Sequence, residues 1–168
     1  MRRAVVLLVL IAGFGVALVG IARATSTPID GISCDMGEQG GYHARAQLRM
    51  VVVASKQYVY PPSGIGVSPL HLCQYWVHTP DGSGTIAVDA PHRLVPTLGQ
   101  FFDIWGQPLA WPRVWRYSAG NGNIEALVGG KPFPGNPRDV KLSNGASVTL
   151  IIGSAFNSLP TPPTSFGE

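Results

Sequence analysis

The sequence lacks the patterns that ordinarily announce chemistry. No H-x-H or C-x-x-C spacing occurs among its four histidines and two cysteines. A locally preassembled metal site is therefore excluded, and any ligands must be brought together by the fold. No G-x-S-x-G segment is present, which removes the nucleophile elbow of the α/β-hydrolases. Gly64, Gly82 and Gly84, beside Ser63 and Ser83, are turn residues. No glycine-rich phosphate loop precedes a helix. Asp81 falls in a turn and Asp103 on the outer face of a helix, a weak pairing for glycoside hydrolysis. There is no N-x-S/T acceptor and no internal repeat. Charge of one sign is scarce too. Without Arg2, Arg3 and Arg23, nine basic residues face nine acidic ones, so the net charge of +3 resides at the N-terminus. The body is neutral and lacks the electrostatic footprint of nucleic-acid binding.

What is present begins with MRRAVVLLVLIAGFGVALVGIARA over residues 1–24. Two arginines precede an uncharged stretch from Ala4 to Ala22, and Ala22-Arg23-Ala24 fits a small-x-small cleavage site. The stretch also reaches bilayer-spanning length. A cleaved signal peptide and an N-terminal transmembrane anchor both stay open, and they imply one topology, with the arginines inside and the rest exported. Cys34 follows Gly-Ile-Ser too far from the apolar stretch for a lipobox, and the twin arginine lacks the rest of a Tat signal. The expected location is the cell membrane, with the domain outside, or secretion. In an oxidising compartment, Cys34 and Cys73 read as a disulfide rather than as metal ligands.

Residues 25–40 read as linker and lead-in, 41–153 as an extracytoplasmic domain, and 154–168 as a disordered Pro/Ser-rich tail. Strand signals dominate the domain. From His43 to Val53 the pattern alternates, with His43, Arg45, Gln47 and Arg49 on one face and Ala44, Ala46, Leu48 and Met50 on the other. The chain turns at residues 54–57 and Tyr58 to Tyr60 returns along it. In CQYWVHTPDGSGTIAVD, residues 73–89, Asp81-Gly-Ser-Gly84 is a strong turn. A four-residue loop sets Val77 opposite Val88 and His78 opposite Ala87, whereas a one-residue slip splits the apolar face. In the preferred register Trp76, His78, Ala87 and Asp89 share a face, with His78 and Asp89 diagonal neighbours.

Thr97 to Trp105 reads as the one helix, with Thr97 and Gln100 as a capping box and Gly106 and Pro108 as its stop. Leu98, Phe101, Phe102 and Trp105 form its core-facing stripe. Residues 124–128 form a strand that turns at Gly129-Gly130 into Lys131-Pro-Phe133. Residues 140–142 and 148–152 read as a last hairpin about Asn144-Gly145. The predicted fold class is α+β, a mainly antiparallel sheet with one helix packed across it, in a β-grasp-like arrangement.

If the strands of His43 and His78 are neighbours, these two residues and Asp89 become candidate ligands for copper or zinc, with His71 as a further possibility. The plainer reading makes His78 an ordinary strand histidine bonded to Asp89. Trp76 and Arg45, placed toward the same face, are the candidate ligand-binding side chains. Trp105, Trp111, Trp115 and Tyr117 form a second cluster, read either as a surface for a partner, glycan or membrane or as aromatics folded onto the core.

The segments GISCDMGEQ, YHARAQL, CQYWVHTPDGSGTIAVDAP, TLGQFFDIWGQPL, GGKPFPGNPRDVKL and VTLIIG together span most of residues 31–153. In these segments the chain resembles an uncharacterised family of exported or membrane-anchored bacterial proteins. The resemblance implies a histidine-lined, metal-binding face in those relatives. It places His43 and His78 at retained histidine positions, Arg45, Gln47, Pro80 and Ala87 at positions where histidine is expected, and Asp89 where glutamate is expected. The implied metal site is thus partly lost here. The leading expectation is a binding domain without enzymatic activity, for a small ligand or a protein, that contacts the membrane through residues 1–24 where these stay uncleaved. A metal-binding protein and a hydrolase are the alternatives.

Overall fold

A computed structural model of the chain describes residues 26–37 and 39–154. The expected signal or anchor over 1–24 and the expected tail beyond Ser154 lie outside them. Among the described residues no helix is long and apolar enough to cross a membrane.

The alternation from residue 43 builds the longest strand, β3 (Tyr42–Val52), since successive side chains in an extended chain point to opposite faces. Ala44, Ala46, Leu48 and Met50 are buried on one face, while His43 and Arg45 are exposed on the other. A short turn ending in Lys56, whose backbone is left-handed, returns the chain as β4 (Gln57–Val59) against the end of β3. The next strands are β5 (Gln74–Tyr75), β6 (Val77–His78) and β7 (Thr85–Ala90). The β6–β7 pair has the expected register, Val77 with Val88 and His78 with Ala87. β7 then runs antiparallel to β3, so that His43 lies opposite Asp89 and Arg45 opposite Ala87.

The helix α1 (Leu98–Trp105) starts at the expected capping box, with the Gln100 amide N–H donating to Thr97 Oγ1 and Gln100 Oε1 accepting from the Thr97 N–H. It ends at Gly106, which takes the left-handed conformation open to glycine at no steric cost. Leu98, Phe101 and Phe102 are fully buried against the Ala44, Leu48 and Met50 face of β3. Each such side chain contributes about 1.5–3 kcal/mol by leaving water. A small meander follows, β8 (Leu109–Ala110), β9 (Arg113–Val114) and β10 (Tyr117–Ser118). The hairpin β11 (Asn123–Val128) and β12 (Lys131–Pro132) turns at Gly129-Gly130 as its glycines predict. The final strand β13 (Ser147–Gly153) completes a sheet of order β12-β11-β13-β3-β7-β6, with β4 also on β3. The fold is α+β, as expected, with mainly antiparallel pairing.

Two features depart from the sequence expectation. Residues 140–142 do not form a hairpin with β13. The Val140 carbonyl accepts from Leu98 N–H and Leu142 N–H donates to the Pro96 carbonyl, which docks this segment beside the start of α1 and buries both apolar side chains. β13 instead inserts between β11 and β3 and pairs with β3 in parallel, Gln47 with Ser147 through Val52 with Ile152. The second departure lies in residues 25–40, expected as linker. They contain a hairpin of β1 (Ser26–Ile29) and β2 (Ile32–Asp35), and β5 extends it. Asp30 and Gly31 make its turn with positive φ at both residues, the geometry that an Asp-Gly pair supplies. Ile32 and Cys34 are buried, so the segment belongs to the folded unit.

Candidate functional site

Because β3, β7 and β6 are neighbours, the sheet face opposite α1 gathers His43, Arg45, His78 and Asp89; the β6–β7 register places His78 and Asp89 there, and the β3–β7 pairing adds His43 and Arg45. Asp89 is the centre. Its side chain is only 3 % exposed. His43 Nδ1 lies 2.6 Å from Asp89 Oδ1 and donates to it, since the partner is an acceptor oxygen. Arg45 Nη1 donates to the same oxygen at 2.9 Å and also to the Ala44 carbonyl at 2.9 Å. His78 Nε2 stands 3.5 Å from Asp89 Oδ2. Burial pushes the Asp89 carboxyl up, but hydrogen bonds from His43 and Arg45 and the charges of Arg45 and His78 outweigh it. The group is held below its ordinary value.

The two imidazoles are held differently. His43 is about half exposed, whereas His78 is buried. The Gln74 amide nitrogen lies 3.3 and 3.2 Å from the two ring nitrogens of His78. Gly66 backs His78 from the other side. A Cβ there would stand 2.5 Å from the Val77 carbonyl oxygen and 3.0 Å from His78 Cβ, on a backbone with positive φ. Only glycine lets the chain pass this close. His78 and Gln74 border an open cleft of about 370 Å³, whose wall also includes Arg45, Val67, Cys73 and Asp89.

Cys34 and Cys73 are bonded, with an S–S distance of 2.07 Å, as expected. The bridge joins β2 to the residue preceding β5, so it fixes one wall of the cleft to the β1–β2 hairpin. Cys73 is thereby removed as a nucleophile.

Trp76 is drawn elsewhere. Its indole Nε1 donates to Asp35 Oδ2 at 2.7 Å, its ring packs edge-on to His92 at 5.5 Å, and it does not line the cleft. His71 lies in the short helical turn Pro69–His71. Among the described residues, no three His, Cys, Asp or Glu side chains form a group that could hold a metal ion. The chemistry of the cluster accounts for this. One carboxylate oxygen already receives both an imidazole and a guanidinium, and a cation placed beside Arg45 would meet like charge.

The second aromatic cluster divides. Trp105 packs on Phe102 at 5.2 Å and on Trp115 at 4.9 Å, and Trp115 meets Tyr117 at 5.5 Å. The Arg116 guanidinium lies 4.1 Å over Trp115. These rings continue the core outward. Trp111 is not in the stack and remains exposed. Gln74, Val67 and Gly66 escape sequence reasoning, because nothing local places the loop of residues 61–73 over the sheet. The glycine pair Gly64 and Gly66 is the one signal that marks a close approach there.

Comparison of the chain with protein-family models, curated proteins and solved structures finds no match in any of the three.

Proposed function

We propose that the chain is an extracytoplasmic binding domain without enzymatic activity, membrane-tethered or secreted, and that the cleft over Asp89 takes a small anionic ligand, a carboxylate or a phosphate. The observation that carries this reading is the buried Asp89 carboxylate shared by Arg45, His43 and His78. Among the described residues, this cluster brings one carboxylate together with one permanent cation and two imidazoles, next to a low-dielectric wall. Arg45 uses Nη1 for Asp89 and Ala44, while its Nε and Nη2 have no protein acceptor among the described residues. The rest of the guanidinium fork is thus available to a planar or tetrahedral anion.

Other features support parts of this reading. Among the described residues, the cleft wall carries no hydroxyl and no free thiol, which favours binding over hydrolysis. The disulfide and the apolar segment at residues 4–22 favour export. A β-grasp-like scaffold is favoured by the parallel neighbours β3 and β13 at the middle of the sheet, with α1 across one face.

Thermal unfolding and titration calorimetry with phosphate, acetate and citrate at pH 5.5 and pH 8 test the proposal. At least one anion should raise Tm, and Arg45→Ala should abolish the rise. A ligand present at a hundred times its Kd stabilises by about 2.7 kcal/mol, a readily measured shift. Failure of every anion at both pH values, or a shift that Arg45→Ala leaves intact, refutes the reading. Stoichiometric zinc or copper binding lost in His43→Ala would restore the metal reading. Turnover on a hydrolase panel that is lost in His78→Ala would establish an enzyme.

A further inference from the structure

We infer that the chain carries a second, independent binding site, for a saccharide, in the cleft beneath Trp111. This cleft encloses about 500 Å³ and lies between the β8–β9 turn, β11 and the short helical turn Pro137–Asp139. Its size falls within the range of small-molecule sites. It shares no lining residue with the Asp89 cleft.

Trp111 supplies the platform. A single exposed aromatic ring is ordinary on a protein surface, but this one is held in place. Its Nε1 donates to the Gly122 carbonyl at 3.1 Å, and the surrounding loop is fixed by Trp115 N–H to Pro108 and Ala119 N–H to Pro112. The polar edge of the indole is satisfied internally while 67 % of the residue stays exposed. A ligand therefore meets the apolar ring without having to order it.

The facing wall mixes apolar and polar residues. Ile124 lies on the core face of β11 with Ala126, beside Leu109 and Pro137, and Asn123 and Glu125 flank it on the strand, are exposed, and make no side-chain hydrogen bond among the described residues. Asn136 uses its Oδ1 to accept from Arg138 N–H at 3.0 Å, which leaves its amide N–H groups to donate. Arg138 is pinned by Asp103, with Nη2 2.5 Å from Oδ2, and its stem lies on the bare backbone of Gly99. The Asp103 pairing neutralises Arg138, and Glu125 adds negative charge, so this cleft disfavours anions. An apolar ring opposite a fringe of donors and acceptors matches a sugar. A pyranose has a C–H face that lies on an aromatic ring and hydroxyls that both donate and accept.

The test is titration calorimetry with intrinsic tryptophan fluorescence on the full chain, using maltotriose, cellotriose, xylotriose and triacetylchitotriose. Cosedimentation with insoluble chitin and cellulose covers longer chains. At least one saccharide should bind and quench fluorescence. Trp111→Ala should weaken it about tenfold, the equivalent of one aromatic stacking contact, and Glu125→Ala should weaken it measurably, while far-UV circular dichroism stays unchanged. His78→Gln should leave this binding intact. Absence of binding to every saccharide, or binding unchanged by Trp111→Ala, overturns the inference. So does Trp111-dependent association with phosphatidylglycerol vesicles when no saccharide binds.

Discussion

At the scale of single residues, Asp89 is the group on which the candidate site depends. A buried carboxylate with one guanidinium and two imidazoles is stable as an anion, because each partner favours the charged form. Asp89→Asn keeps the shape but removes the charge that holds His43 and Arg45. It should cost about 1–3 kcal/mol at pH 7, the range for leaving polar partners unmatched. The pH dependence has a definite sign. A carboxyl whose folded pKa is depressed contributes stability above its unfolded pKa of about 3.9, and this is lost as pH falls through the lower folded value. The stability gap between wild type and Asp89→Asn should therefore be constant at neutral pH and shrink below about pH 4. Urea unfolding of both proteins between pH 3 and pH 7 measures it, and a gap that widens in acid would contradict the assignment. The partners of Asp89 could be read from the alternation of β3 and the register of β6 and β7. Gln74 and Gly66 could not, since their positions follow from a loop folding over the sheet rather than from any local pattern.

At the scale of elements, legibility follows locality. The capping box at Thr97 and Gln100, the glycine stop at Gly106 and the apolar stripe between them define α1 from within one short window. Thr97→Ala removes the hydroxyl that accepts the Gln100 N–H. It should cost about 1 kcal/mol, visible in chemical denaturation, with Thr97→Ser restoring most of it. The β6–β7 register was equally legible, because one slip would have moved Val77 and Val88 off the buried face. The β1–β2 hairpin had its signal too, an Asp-Gly pair between Ile29 and Ile32, but Pro28 and the neighbouring small residues read as linker. The parallel pairing of β13 with β3 had no local signal. Val148, Leu150, Ile151 and Ile152 are apolar, with Thr149 alone between them, and such a run states that a strand is buried on both faces without naming its neighbours.

At the scale of the whole molecule, the disulfide links two parts that the large sheet alone leaves loosely coupled. Cys34 anchors the β1–β2–β5 sheet, and Cys73 stands at the wall of the Asp89 cleft. The bridge spans a sequence separation of 39 residues, and closing such a loop stabilises the fold by about 4 kcal/mol in the chain-entropy model. Reduction, or the Cys34→Ser and Cys73→Ser double substitution, should lower unfolding free energy by a comparable amount. Native hydrogen exchange should show residues 26–35 and 66–76 opening before β3 and β13. Uniform loss of protection across both sheets would show instead that the bridge supports the entire fold.

The place of β13 bears on the order in which the molecule can come into being. The last strand among the described residues is a central strand of the large sheet, with β11 on one side and β3, a hundred residues earlier, on the other. A chain made from its N-terminus can form the β6–β7 hairpin and the turn of α1 early. Their apolar faces then wait for a partner that arrives at the end. Closure of the sheet is paced by a long-range contact. Until residues 147–153 are in place, β3 and β11 lack the strand that joins them.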